Sequence, residues 1–317
     1  MDKRERVKRA FKGETVDHVP VCMWKHVPPS EWETDRFIKA QLDFYKITDV
    51  DFIKLSADGY FGWPAEGLKN VSDVKELYEI KEFEPDHPFI RGQIERTKKL
   101  LKALNHDCLA FYLVFCPLSY LRLEIGYPKM MQFMKEDPEA VFTAEKQIAK
   151  SVKYLIQGII QEAGADGIFY SVQNAEKNRF SYEFYRKYIT PTEKDVLEYA
   201  NSLSDMNVLH CCGWEGIPNR LEDWEDYKTA VVSWARFIDN LDVRDAKKRF
   251  GCTVWGGFDN RPGSLIYSGT KEEIERETEK LIEEGGKQGY IIGADCSIHD
   301  ELPLERIKWI VETARKI

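Results

Sequence analysis

Short apolar runs alternate with longer amphipathic stretches along this chain, and the alternation predicts a strand–helix repeat over nearly its whole length. The apolar runs are Val19–Met23, Phe52–Leu55, Leu109–Phe115, Gly167–Ser171, Asn207–His210, Ala230–Trp234, Thr253–Gly256 and Tyr290–Ile292. They lack the in–out alternation of a half-exposed strand, as strands buried on both faces of a parallel sheet should. Between them the period lengthens. Asp137-Pro138 is a cap followed by a first-turn proline, and it opens a helix with Val141, Ile148, Val152, Leu155 and Ile159 on one stripe, ending at Gly164. Thr270 and Glu273 form a capping box, and the helix they start ends at Gly285-Gly286. Amphipathic helices are also predicted over residues 2–12, with Val7, Ala10 and Phe11 inward, and from about Leu304, with Ile307, Ile310 and Val311 inward. The span from Asp58 to Pro88 is the least regular and reads as a long loop with a short hairpin or helix over the mouth of the fold.

Eight such strands with interposed helices predict an α/β fold, a single (β/α)8 TIM-type barrel occupying residues 1–317 as one domain. A doubly wound open sheet is the alternative, but no glycine-rich phosphate loop follows the first strand. No linker, low-complexity tract or strong internal repeat interrupts the pattern. A net charge of −8 with dispersed Lys and Arg argues against nucleic acid as a partner. No apolar run approaches the length of a membrane span. The start MDKRERVKRAFKGE does not read as a signal peptide, so a reducing cytoplasmic setting is expected, with the seven cysteines free to bind metal rather than pair.

Barrel enzymes place their chemistry at the C-terminal ends of strands. The fifth predicted strand ends in His210-Cys211-Cys212-Gly213, and Cys296 lies just past the eighth. Zinc commonly takes three ligands of this kind and keeps a fourth position open for chemistry, so His210, Cys212 and Cys296 are the candidate metal and catalytic residues. Cys211 should point to the opposite face, and Cys116 and Cys252 read as small core residues. A fourth ligand could be water, Tyr170, Gln173 or Asp295. Trp24, His26, Trp63, Gln173, Asn174 and Asp259 are the candidate substrate-binding residues. Several have a plainer reading beside the functional one. His26 beside Pro28-Pro29 could satisfy loop backbone, Gln173-Asn174 could be turn chemistry, and Asp259 after Gly256-Gly257-Phe258 could form an Asx turn.

The segments RERVKRAFKGETVDHVPV, EAGADGIFYSVQNA, LHCCG, GGFDN and IIGADCSIHDELPLERIKWIV together resemble the uroporphyrinogen decarboxylase superfamily over essentially the whole chain. Within it the chain looks more like the corrinoid-dependent methyltransferases, whose His-x-Cys…Cys zinc motif maps onto His210, Cys212 and Cys296. The decarboxylases share an Arg-Gln-Ala-Gly-Arg run after the first strand that grips the porphyrinogen carboxylates. Here that place reads Cys22-Met23-Trp24-Lys25-His26-Val27-Pro28, a poor match for a substrate carrying many carboxylates. The resemblance therefore implies zinc-dependent methyl transfer between a small methylated substrate or thiol and a cobalt corrin. No stretch reads as a corrinoid-binding module, so the corrinoid is expected on a separate, transiently docking protein. A homodimer is implied by the resemblance alone. The alternatives are a metal-free decarboxylase of the uroporphyrinogen type and a non-catalytic protein that binds zinc, a thiol or a tetrapyrrole.

Overall fold

Seven of the eight predicted strands form, and they form close to where the apolar runs place them. In the computed structural model, which describes residues 1–317, these are β1 (Phe52–Leu55), β2 (Leu109–Phe115), β3 (Gly167–Val172), β4 (Val208–Cys211), β5 (Val231–Trp234), β6 (Thr253–Phe258) and β7 (Tyr290–Ala294). All pair in parallel with their sequence neighbours, in the order β1 to β7. Every residue in them is buried, which is why their sequences carry no polar face. One contiguous core of 95 buried residues runs from Val7 to Ala314.

The first predicted strand is a correction. Val19–Met23 makes a single parallel bridge, Val21 to Ile292, instead of a ladder. The reason is local. Pro20 has no N–H to donate, and the Val21 N–H goes to the Asp51 carboxylate at 2.8 Å, not to a strand carbonyl. What remains are Ile292 N donating to Pro20 O at 2.9 Å, Cys22 N donating to Ile292 O at 3.0 Å, and Asp51 N donating to Val21 O at 2.9 Å. The sheet is thus an open seven-stranded one, not a closed eight-stranded barrel, with this segment hydrogen-bonded to β7 on one side and to the residue before β1 on the other.

The helix signals hold. The Asp137 side chain accepts from Ala140 N at the start of the helix Pro138–Gln157, which continues through a π turn, Gly158–Glu162. Thr270 and Glu273 form both halves of the capping box on Lys271–Gly285, and Gly286 ends it at φ 71°. Replacing Thr270 with alanine should cost about 1 kcal/mol, read as a lowered urea midpoint at unchanged slope. The first helix, Lys3–Phe11, buries Val7, Ala10 and Phe11, and also Arg6, which pairs with Asp51 at 2.9 Å. The last helix is Glu305–Ala314. No helix is long and apolar enough to cross a membrane.

Residues 58–88 carry little regular structure. They contain two 3-10 turns, Leu68–Asn70 and Val74–Glu79, and no hairpin. Leu68, Val71 and Leu77 are buried; Val74–Glu79 packs on the helix Pro138–Gln157 and Leu68–Asn70 on the helix Pro117–Ile125. Only its beginning, at Asp58 and Phe61, reaches the central cavity, through His26 and the cavity lining.

Candidate metal centre and its cavity

The strand period of two turns His210 and Cys212 to the same side, while Cys211 faces away and is fully buried. Gly213 follows because nothing larger fits: a Cβ there would lie 2.6 Å from Ala235 Cβ. Cys296 arrives from two residues past β7. The chain from Trp24 to His26 runs alongside it, joined by the Lys25–Ile298 bridge and by Ile298 N donating to Trp24 O at 2.9 Å.

These placements bring one ligand atom each of His210, Cys212 and Cys296 to within 4.8 Å of one another. The two sulfurs are 3.8 Å apart. Tetrahedral zinc, with Zn–S near 2.3 Å, requires its thiolates about 3.8 Å apart. His210 Nδ1 lies 3.0 Å from Ser233 Oγ on β5, while its Nε2 is buried without a partner. An Nδ1–H donated to the serine would leave Nε2 with its lone pair turned to the thiols, the state a metal needs. The residues present fit zinc. The thiols already behave as a pair: the Cys212 hydrogen bond, opposed by burial and aided by His210, holds Cys296 well below the ordinary thiol range. The same contact, with burial, pushes Cys212 well above it.

The triad forms one wall of a cavity of about 260 Å3. Of the residues singled out from sequence, Trp24, His26 and Gln173 line it. His26 Nδ1 is 2.9 Å from Asp58 Oδ1. Although burial opposes it, the His26 contact together with Ser56 and the Val27 N–H keeps the Asp58 carboxyl below its usual value. The Gln173 amide oxygen accepts from Arg122 Nη2 at 2.5 Å.

The other three do not line the cavity. Trp63 stacks on Phe83 with ring centroids 4.7 Å apart and belongs to an aromatic cluster with Phe89 and Tyr120. Asn174 sits at φ 71° and is consumed locally, accepting from Arg179 at 2.8 Å. Asp259 forms the Asx turn, taking the Arg261 N–H at 2.9 Å and pairing with its guanidinium. Two of the candidates for a fourth ligand also lie outside this cavity. Tyr170 alternates with the inward Phe169 and Ser171 and is buried outside the cavity. Asp295 lies in a neighbouring polar cleft, where Phe237 N donates to it at 2.8 Å and burial raises its pKa to about 8.

The cavity also contains residues that the sequence reading missed: Lys54, Phe61, Phe115, Arg122, Phe169 and Trp214. Lys54 had a legible signal, being the one charged residue inside any of the seven strands. Burial lowers its pKa from 10.5 to about 8. Below pH 8 both folded and unfolded chains carry this proton, so the burial penalty, about 3 kcal/mol, is fully present. Between pH 8 and 10.5 the folded chain releases the proton first, and the penalty disappears as pH rises. Lys54→Met should therefore be the more stable protein at pH 7, by up to about 3 kcal/mol, with its advantage over wild type closing across that window. Urea unfolding of both at pH 7 and pH 10.5 checks this.

The family model for uroporphyrinogen decarboxylase (URO-D) matches residues 61–317. The chain is 26% identical over 156 residues to the methylcobamide:CoM methyltransferase MtbA of Methanosarcina mazei, a match spanning 49% of this chain and 43% of the relative. The chain thus spans less than half the length of that curated relative. It is 26% identical over 260 residues to a uroporphyrinogen decarboxylase of Carboxydothermus hydrogenoformans, covering 79% of this chain and 69% of that one. A solved methyltransferase from Methanosarcina mazei superposes with a TM-score of 0.76 at 17% identity, covering 100% of this chain and 99% of the other, a likeness of fold. With the family model matched across β2 to β7 and the His-x-Cys…Cys centre, the chain belongs to the uroporphyrinogen decarboxylase (URO-D) family.

Proposed function

We propose that this chain, acting as a single domain over residues 1–317, is a zinc-dependent methyltransferase. It moves a methyl group between a small methylated substrate or thiol and a cobalt corrin carried on a separate protein. The observation that carries this reading is the pair of sulfurs 3.8 Å apart beside the unpartnered His210 Nε2, on the wall of the cavity. The likeness to a methylcobamide:CoM methyltransferase supports it.

Zinc, when bound, supplies a Lewis acid that keeps a thiol acceptor deprotonated at neutral pH or stabilises a leaving group on a methyl donor. The chain's own residues do the rest. Ser233 holds the His210 imidazole in one orientation and tautomer. Two thiolates and a neutral imidazole would leave the loaded centre formally uncharged, so an acceptor thiolate would stay nucleophilic. Trp24, Phe61, Phe115 and Phe169 exclude water around the small substrate. Gln173 is the protein side chain placed to touch the reacting end, near Cys212. The corrinoid protein docks transiently at the open end, and the enzyme works in the cytoplasm, as a homodimer if it follows the family resemblance.

The cavity size favours this over decarboxylation. At about 260 Å3 it lies below the roughly 300–1,000 Å3 of clefts that take drug-sized ligands, and Lys54 and Arg122 are its Lys and Arg side chains. A porphyrinogen with many carboxylates needs more of both. The test is demethylation of methylcobalamin by the zinc-loaded protein with a panel of thiols, followed by cobalamin absorbance. Thiol-dependent, zinc-dependent turnover is expected. Turnover of uroporphyrinogen by metal-free protein would reverse the assignment. Ser233→Ala should weaken zinc retention about 10–100-fold while leaving the fold intact, measured by competition with a chelator.

A further inference from the structure

His26 lines the cavity, and its Nδ1 lies 2.9 Å from Asp58 Oδ1. The carboxylate is held from several directions. It is 2% exposed, its other oxygen accepts from Val27 N at 2.7 Å and from the Ser56 hydroxyl, and Arg96 Nη1 donates to the Asp58 carbonyl at 2.8 Å. Although burial opposes it, the contacts with His26, Ser56 and the Val27 N–H favour the ionised carboxylate. An ionised carboxylate can only accept, so the His26 proton must lie on Nδ1. Phe61 meets the imidazole edge-on with ring centroids 5.5 Å apart, which fixes the plane of the ring. Nε2 is then the open nitrogen, with no hydrogen bond to protein, on a side chain 46% exposed. The loop itself does not need the ring, since Asp58 already satisfies the Val27 N–H. The same stretch of chain is tied to the metal centre twice. The Trp24 ring meets His210 edge-on at 5.6 Å, and Lys25 bridges to Ile298, just past Cys296.

Methyl transfer to a thiol moves a proton as well as a methyl group. The S–H bond breaks with its electron pair left on sulfur, and the S–C bond forms. The Co–C bond breaks with its pair left on cobalt, which passes from Co(III) to Co(I). The proton must go to a base. Of the cavity's other titratable side chains, His210, Cys212 and Cys296 are the candidate metal ligands, Arg122 is permanently charged, and Lys54 is a cation below about pH 8. An imidazole with one nitrogen pinned by a carboxylate and the other open can take and return a proton near neutral pH. We propose that His26 is the catalytic acid–base of this site, its Nε2 taking the proton of an acceptor thiol directly or through one water, with Asp58 as its positioning residue. In the opposite direction the same nitrogen, protonated, gives that proton to the leaving heteroatom of a methyl donor while Co(I) attacks the methyl group. The half-exposed ring exchanges the proton with bulk water between turnovers. The inference rests on the methyl-transfer reading for its reaction and on the geometry of the pair for its residues.

The experiment uses zinc-loaded protein at pH 8, methylcobalamin as donor, and two acceptors of nearly one shape, ethanethiol and 2,2,2-trifluoroethanethiol. The fluorines make the second largely thiolate at that pH, while ethanethiol keeps its proton and needs the base. His26→Gln should lower kcat about 100-fold or more with ethanethiol and about tenfold or less with trifluoroethanethiol, at unchanged zinc content and near-ultraviolet circular dichroism. Equal losses with both thiols would mean that His26 only shapes the cavity, which overturns the proposal, as does no loss with either. A second readout needs no turnover. Nitrogen-15 magnetic resonance, with the His26 signals assigned by their absence in His26→Gln, should show the proton on Nδ1 and a bare Nε2. The opposite tautomer overturns the proposal. Asp58→Asn should weaken that tautomer preference, since an amide can donate as well as accept, and should lower kcat more with ethanethiol than with trifluoroethanethiol. A folded Asp58→Asn with wild-type tautomer and rates overturns the role of Asp58. Absence of transfer to either thiol by wild type would remove the methyl-transfer reading and this proposal with it, whereas equal losses in a protein whose wild type turns over remove the proposal alone.

Discussion

Cys296→Ser and Cys212→Ser should each empty the metal centre. Zinc content as purified is expected to fall from about one per chain to near zero, since a serine hydroxyl stays protonated at neutral pH where a thiolate ligates. Methyl transfer should drop on the order of a thousandfold or more, because Lewis-acid stabilisation contributes several kcal/mol to the barrier. The fold should survive. Cys296 is only half-buried, and Cys212 gives way to a side chain of nearly its own shape, so far-ultraviolet circular dichroism should be unchanged. Elemental analysis and the methylcobalamin assay on the same preparations check both parts. Retention of stoichiometric zinc in either variant would mean the ion binds elsewhere. Loss of the fold together with zinc would make the centre a structural one.

Asp51→Ala carries the second large effect, this time on stability. Asp51 is fully buried, accepts the Val21 N–H at 2.8 Å and pairs with the buried Arg6 at 2.9 Å. It thereby ties the first helix, the segment before Trp24 and the start of β1 into one unit. Removing the carboxylate leaves a buried guanidinium short of a partner and a backbone N–H unpaired, at a cost of roughly 3–5 kcal/mol. Asp51→Asn should cost less, since its amide oxygen can still accept from Val21. Urea denaturation of the two variants and wild type measures this. A loss under about 1 kcal/mol for the alanine variant would show that the segment closing the gap between β7 and β1 is held by other contacts.

The candidate metal centre was legible because its residues obey strand geometry. His210 and Cys212 are two apart at the end of β4, so they must share a side, and Cys296 follows the last strand in the manner of a ligand supplied at a strand end. Trp63, Asn174 and Asp259 lie away from the cavity lining for a common reason: each is in a loop, where no period dictates where a side chain points. Trp63 found an aromatic partner in Phe83, Asn174 took a left-handed backbone and bonded Arg179, and Asp259 closed a turn on Arg261. Lys54 was passed over although its place in the run Phe52–Leu55 was visible.

The sequence by itself determined seven of the strands, the principal helix boundaries and the shared side of His210 and Cys212. Those follow from interactions between residues a few positions apart: apolar period, capping and proline or glycine punctuation. Only the tertiary structure decided the rest. It replaced the first predicted strand with a hydrogen-bonded segment, because the Val21 N–H meets a carboxylate from thirty residues away. It brought Cys296 to 3.8 Å from Cys212 across the sheet, and it placed Lys54 and Arg122 without carboxylate partners beside that pair. These depend on distances between elements remote in the chain, set by how the whole core packs.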